Sequence, residues 1–169
     1  MVMKLRVNII TALFVAMAIV INIAEGAFPM PLPGIKLGLA NVFTLAALLM
    51  LGTRAAFTVT VLRVFLVWLI TGNIFAFSCS MTGGLLAAAV MVLLYSKLSD
   101  YFSVPWISVA GAWAFNAGQL AVAAFFVGDP RIAFYVIPLF AAGTAAGWCT
   151  GFLAELLCRR IKASGIIRD

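Results

Sequence analysis

The chain has 169 residues, of which 66% are hydrophobic and 9% charged, with a mean hydropathy of +1.21. Soluble domains are about half apolar and about a quarter charged, so this composition excludes a soluble globular domain, a disordered chain and a disulfide scaffold. The net charge of +6 comes from 11 basic and 5 acidic residues. In so apolar a chain, a basic excess is typical of cytoplasmic loops and of contact with anionic lipid headgroups, and we expect no nucleic-acid partner.

Residues that commonly carry catalysis are scarce. The chain contains no histidine, and its three cysteines show no CxxC spacing. No two of the five acidic residues lie within five positions of each other, so the paired carboxylates of a magnesium-diphosphate site are absent. We therefore expect no catalytic residues, no metal site and no cofactor, and we interpret the chain as a non-enzyme.

The length allows six membrane spans, because one spanning helix needs about 20 residues. The first predicted span resembles a signal peptide, but its apolar run is long for one and Ala24-Glu25-Gly26 is a poor cleavage site. In chain order the predicted spans cover about residues 5–24, 35–51, 54–71, 77–98, 105–127 and 132–158.

Glycine and proline separate these predicted spans. Prolines at alternate positions (Pro29, Pro31 and Pro33) predict a stiff, extended and apolar loop between the first two spans. Gly52 ends the second span, Pro105 opens the fifth, and Gly128-Asp-Pro130 predicts a turn.

The basic residues give the predicted orientation. With the N-terminus inside, the outer side carries only Lys36 and Arg131, and the cytoplasmic side carries the eight residues Lys4, Arg6, Arg54, Lys97, Arg159, Arg160, Lys162 and Arg168. This asymmetry follows the positive-inside rule. We expect one all-α integral membrane domain over residues 1–169, with six transmembrane helices and both termini cytoplasmic, in the inner or plasma membrane.

Arg63 is the charged residue that lies deepest within a predicted membrane span. It lies nine residues after Arg54, which places it about 13 Å along the helix and near the middle of the membrane. Intramembrane charges are costly and usually functional. Arg63 therefore predicts a ligand or counter-ion site, with a structural arginine bonded to a neighbouring helix as the alternative.

Two other groups of polar residues accompany Arg63. Asn116 and Gln119 are three residues apart and share a helix face, which fits either interhelical hydrogen bonds or ligand contact. The predicted outer ends of the spans carry further candidates, which are Glu25, Lys36, Asn41, Asn73, Ser78 and Ser80. We expect an outward-opening cavity roofed by the proline-rich loop, with a Glu25–Lys36 salt bridge as the alternative for that pair.

The first span has two different faces. Ala12 and Ala16 are four residues apart, a spacing of small residues that lets another helix approach closely. At 100° per residue, Asn22 and Glu25 point away from that alanine face. The pattern predicts one face for helix contact and another for a polar interior.

Several motifs together resemble a known membrane family. The segment Pro33-Gly-Ile-Lys-Leu-Gly-Leu-Ala-Asn41 is similar to the hallmark of the Gx transporter family, also catalogued as heptaprenyl diphosphate synthase component I. The resemblance covers roughly residues 8 to 155 and continues through Leu62-Arg-Val64, Phe77-Ser78 with Gly83-Gly84, and Asn116-Ala-Gly-Gln119. One departure is Phe115, where the family often has histidine.

The resemblance implies the six-helix fold of the substrate-binding S components of energy-coupling factor transporters. It implies a site lined by Lys36, Asn41, Arg63, Asn116 and Gln119, beside the outer-end candidates Glu25 and Ser78. Arg63 and Lys36 would bind an anionic or carbonyl group, and the amides would hydrogen-bond. The pair Ala12 and Ala16 resembles the motif that docks S components onto a coupling subunit, which in turn carries two ATPases.

The resulting hypothesis is a subunit that captures a vitamin-like or isoprenoid-related small molecule for uptake. The alternatives are a non-catalytic membrane component associated with prenyl diphosphate or quinone synthesis, and a flavin-linked redox or purely structural membrane subunit. The sequence leaves the substrate, the direction of transport and the oligomeric state open.

Overall fold

The computed structural model describes residues 2–26, 36–128 and 134–164. Within these residues the fold is all-helical. The predicted proline-rich loop and the turn at residues 129–130 lie outside the described residues. The helices, in chain order, are α1 (Val2–Gly26), α2 (Asn41–Leu51), α3 (Thr53–Thr71), α4 (Ile74–Leu98), α5 (Val104–Val127) and α6 (Val136–Ala163).

Five of the helices are long and apolar enough to cross a membrane. The exception is α2, whose 11 residues extend about 16 Å, against a hydrocarbon core of about 30 Å. The described structure therefore supports a multi-pass membrane protein. The number of complete spans and the side on which the termini lie stay predictions.

The start of α2 differs from the sequence prediction. A span from residue 35 was expected, but residues 36–40 are not helical and α2 begins at Asn41. Gly38 has φ of +83°, a left-handed conformation that interrupts a right-handed helix and that glycine adopts without a steric penalty. The short helix is nevertheless central, because it packs against α1, α3, α4 and α6.

Glycine, asparagine and proline mark several of the other boundaries, although α6 runs from Val136 to Ala163 where a span over residues 132–158 was expected. Gly52, with φ of +89°, joins α2 directly to α3. The Asn73 side chain caps α4 by accepting a hydrogen bond from the Ala76 amide at 2.9 Å, and Pro105 lies in the first turn of α5. In α6 the helix proper begins at Val136, so Pro138 falls in its first turn, where a proline is tolerated.

Successive helices run antiparallel, so their ends meet at two opposite ends of the bundle. Apolar and polar side chains are buried at different levels between these ends. One end, which we call the basic end, is where α1, α3 and α5 begin and α2, α4 and α6 finish. The main buried apolar core occupies the half of the bundle next to the basic end, around Phe14, Leu45, Val59, Met91 and Ile107. A smaller cluster of Leu120, Ala123 and Leu139 lies near the other end.

Candidate functional site

A layer of buried polar side chains lies in the half of the bundle away from the basic end. It draws on five helices and on the segment 36–40. The described members, which we call the polar layer, are Asn22, Glu25, Lys36, Asn41, Thr44, Thr60, Arg63, Ser80, Asn116 and Gln119. Because a buried polar group is costly unless it is hydrogen-bonded, the partners of each member indicate its role.

Glu25 fixes the beginning of α2. Its Oε1 accepts a hydrogen bond from the Leu39 amide at 2.8 Å, and its Oε2 accepts one from the Ala40 amide at 3.4 Å. The amides at a helix N-terminus lack intrahelical partners, and the helix dipole favours a negative charge there. Glu25 therefore anchors the start of α2 to the end of α1.

Lys36 also bonds to α1. Its ammonium group donates to the Asn22 backbone oxygen at 3.1 Å and to the Asn22 side-chain oxygen. This arrangement differs from the predicted alternative of a Glu25–Lys36 salt bridge: the Lys36 ammonium is held by neutral oxygens, and the Glu25 carboxylate is held by backbone amides.

The Gln119 side chain pairs with the backbone of Lys36 in both directions. The Lys36 amide donates to Gln119 Oε1 at 2.9 Å, and Gln119 Nε2 donates to the Lys36 carbonyl at 2.9 Å. One turn earlier on α5, Asn116 Nδ2 donates to the Leu139 carbonyl of α6 at 2.8 Å. The two amides of α5 therefore connect the segment 36–40 to α6.

Arg63 is the most deeply buried charge of the layer, with 1% of its surface exposed. Its Nη2 donates to Asn41 Oδ1 at 2.5 Å, which links α3 to the first residue of α2. The Thr44 and Thr60 hydroxyls, 3.0 Å apart, join the same two helices one turn nearer the basic end. Two buried polar atoms of the layer have no hydrogen-bond partner among the described residues, and these are Arg63 Nε and Ser80 Oγ.

Glycines on α4 allow this close packing. A Cβ atom added at Gly84 would lie 2.9 Å from Thr60 Cγ2 and 3.5 Å from Arg63 Nη2. A Cβ atom added at Gly83 would lie 2.7 Å from the Phe115 carbonyl oxygen. The Gly83-Gly84 pair therefore brings α4 against both α3 and α5 at the level of the polar layer.

Phe115 occupies the position where the resembled family often has histidine. The ring is 2% exposed and approaches within 3.0 Å the position that a Cβ of Gly38 would occupy. It therefore gives apolar support to the turn at Gly38.

The structure brings most of the predicted site residues together. Glu25, Lys36, Asn41, Arg63, Asn116 and Gln119 are all buried members of the polar layer. Ser78 is not, because it is partly exposed and its hydroxyl donates to the Ile74 carbonyl of its own helix at 2.9 Å. Ser80 faces the layer instead.

Thr44 and Thr60 were not among the predicted site residues, and Asn22 was predicted only to lie on the face of α1 that points to a polar interior. Ser80 was a candidate at the outer ends of the spans, and it lies four residues before Gly84, on the same face of α4. The Asn22–Lys36 contact had no local signal, because it depends on how the chain returns after α1.

The two predicted faces of α1 are observed. Asn22 and Glu25 are buried, while Ala12 and Ala16 are exposed on the opposite side. The exposed side also carries Leu13, which is 54% exposed. Within the described residues, the alanine pair belongs to a free apolar helix face.

The polar layer presents hydrogen-bond donors and two cations, Lys36 and Arg63, whose described partners are neutral oxygens. The described ion pair lies elsewhere, between Arg159 and Glu155 at 2.6 Å. Those two residues are four positions apart on α6, near the basic end. No group of three His, Cys, Asp or Glu side chains within the described residues is placed to hold a metal ion. The arrangement is therefore suited to binding and orienting a small polar group.

Comparison with known proteins identifies a family. The family model for heptaprenyl diphosphate synthase component I matches residues 14–157, which is most of the chain. Comparison with curated proteins and with solved structures gives no significant match. This multi-pass, all-helical chain belongs to the heptaprenyl diphosphate synthase component I family.

Proposed function

We propose that this protein is a membrane-embedded substrate-binding subunit that captures a small vitamin-like or isoprenoid-related molecule for uptake. Its site is the polar layer. The observation that carries the proposal is Arg63, which is 1% exposed and has a hydrogen-bond donor, Nε, without a partner among the described residues. A buried arginine is costly unless it is paired and hydrogen-bonded, so a donor without a partner points to a bound group.

The unpartnered polar atoms of the polar layer support ligand binding in addition to helix packing. Polar contacts that only join helices need no unpartnered donor, as the Ser108–Thr150 hydroxyl pair illustrates at 2.9 Å. The polar layer differs, because Arg63 Nε and Ser80 Oγ remain available beside satisfied neighbours. In the proposal, the chain binds the small molecule without changing it chemically.

The proposal includes a separate energising module. The described residues form the helices of a membrane-type bundle, and the energy-supplying step is assigned to a separate subunit. The exposed Ala12 and Ala16 side chains supply a face where a helix of a coupling subunit packs closely. That subunit would carry two ATPases, and the assembly would reside in the plasma or inner membrane.

Native mass spectrometry of the detergent-purified protein tests the proposal. We expect a bound small-molecule mass in the wild type that is lost from Arg63→Ala and Asn116→Ala and kept in Thr58→Ala, whose side chain is exposed. Folded protein that carries no such mass and shows no saturable binding from a panel of vitamins and prenyl compounds would contradict the proposal.

The family match favours a second candidate, a non-catalytic membrane component associated with prenyl diphosphate synthesis. Incubation of the purified chain with magnesium and prenyl diphosphate substrates shows whether the chain is an enzyme or a non-catalytic subunit. We expect no product from the chain alone. Product formation would refute the assignment of this chain as a non-enzyme under either candidate.

A further inference from the structure

The two unpartnered polar atoms of the polar layer belong to neighbouring helices. Arg63 on α3 is 1% exposed and Ser80 on α4 is 4% exposed, so water does not satisfy either group from the protein surface. Among the described residues, Arg63 Nε and Ser80 Oγ are the buried side-chain nitrogen and oxygen atoms without a hydrogen-bond partner. A buried polar group left without a hydrogen-bond partner is destabilising, and more so when the group is charged.

The helix register brings these two residues to one level. α3 and α4 are antiparallel and are joined by a short connection at Gly72 and Asn73. Thr60 and Gly84 face each other, since a Cβ at Gly84 would lie 2.9 Å from Thr60 Cγ2. One turn from Thr60 toward the connection reaches Arg63, and one turn from Gly84 toward it reaches Ser80. Both side chains therefore lie at the same depth along the α3–α4 interface.

The other charged members of the polar layer have partners already. The Lys36 ammonium donates to both oxygens of Asn22, and the Glu25 carboxylate accepts from the first amides of the α2 region. Arg63 has only the neutral Asn41 oxygen as a described partner. Among the described residues, two buried cations and one buried anion leave the layer with one uncompensated positive charge.

We propose that Arg63 and Ser80 form the anchor for a singly charged oxyanion, a carboxylate or a phosphodiester, with Arg63 Nε–H and the Ser80 hydroxyl donating to it. This inference rests on the proposed function and narrows its substrate class. One negative charge balances the layer, whereas a diphosphate brings several and leaves buried negative charge unpaired. The family resemblance implied the same role for Lys36. Its ammonium group instead bonds to Asn22, and we assign Lys36 to holding the segment 36–40.

The test uses two probes with the same charge and different origins. Sodium hexanoate represents a soluble carboxylate, and dihexanoyl phosphatidylglycerol represents a lipid headgroup. The neutral control is 1-hexanol. Thermal unfolding of the detergent-purified full chain is followed against probe concentration for the wild type, Arg63→Gln and Ser80→Ala. Matched controls are Arg54→Gln and Ser78→Ala, which change the same residue types at exposed or partly exposed positions of the same two helices.

We expect hexanoate to raise the unfolding midpoint of the wild type saturably, while hexanol does not. Arg63→Gln and Ser80→Ala are each expected to raise the half-saturating concentration at least tenfold, and both control variants are expected to match the wild type. If Arg63→Gln is recovered unfolded, Ser80→Ala decides alone, because it removes one unpartnered hydroxyl from a well-packed position.

The remaining outcomes separate this inference from the proposed function. A response to the lipid probe alone, with the same variant dependence, supports the oxyanion anchor and identifies its ligand as a lipid headgroup. No response to either charged probe, or equal responses in all variants, overturns the anchor. The proposed function is still decided independently by the mass of the retained small molecule.

Discussion

Removal of the Gln119 side chain gives the most direct test of how the polar layer is built. In Gln119→Ala the Lys36 amide and carbonyl both lose their side-chain partner, and each of those contacts is 2.9 Å long. A buried hydrogen bond contributes about 1 kcal/mol, and a buried polar group left unpaired costs about 1 to 3 kcal/mol. Allowing for partial relaxation, we expect opening of the segment 36–40 to become easier by about 2 to 4 kcal/mol.

Hydrogen exchange followed by mass spectrometry measures this effect locally. Since about 1.4 kcal/mol corresponds to a factor of ten, the amides of residues 36–41 are expected to exchange roughly 30 to 1,000 times faster than in the wild type. Amides at the basic end, such as those of α3 near Arg54, are expected to keep their rates. Thr58→Ala, which removes an exposed hydroxyl bonded within its own helix, is the control. Unchanged exchange at residues 36–41 would refute the reasoning that Gln119 holds this segment.

Three further predictions address other parts of the fold. Glu25→Gln removes the negative charge at the start of α2, and we expect it to lower the free energy of unfolding by about 1 kcal/mol. Thermal unfolding measures this change, and a variant as stable as the wild type would contradict the capping role. Gly151→Ala places a Cβ atom 2.5 Å from Pro105 Cα, so we expect it to weaken the α5–α6 contact and lower the free energy of unfolding by about 1 to 3 kcal/mol. The control Cys149→Ala, on the exposed side of α6, is expected to leave the free energy of unfolding unchanged. Ala16→Leu fills the small-residue face of α1, and we expect it to lower co-purification of the coupling subunit without changing the retained small molecule; the control is Ala89→Leu on an exposed face of α4.

The long helices and the buried polar residues were predictable from the sequence. Apolar runs of about 20 residues, separated by glycine and proline, indicate where helices begin and end. An intramembrane arginine such as Arg63 stands out because so few residues are charged. The opposite faces of α1 follow from helical geometry alone, since Ala16 and Glu25 are separated by about half a turn.

The start of α2 and the hydrogen-bond partners were not predictable in the same way. The apolar pattern from residue 35 onward fits a helix, and it carries no sign that Gly38 adopts a positive φ. The Lys36–Asn22 pair spans 14 residues and the Lys36–Gln119 pair spans 83, so neither follows from local spacing. Ser78 and Ser80 were both candidates at the outer ends, and only the rotation of α4 in the bundle decides that Ser80 faces inward.

The non-helical segment before α2 has a consequence for how the protein is made. Its backbone amides and carbonyls are not paired with one another as in a helix, and lipid offers them no partner. Glu25 is already present when this segment leaves the ribosome, but Gln119 lies 83 residues after Lys36. Most of the chain must therefore be synthesised before the segment reaches its final place. The segment before α2 is therefore completed by α5, and its hydrogen bonds to Gln119 form only after α5 has been synthesised.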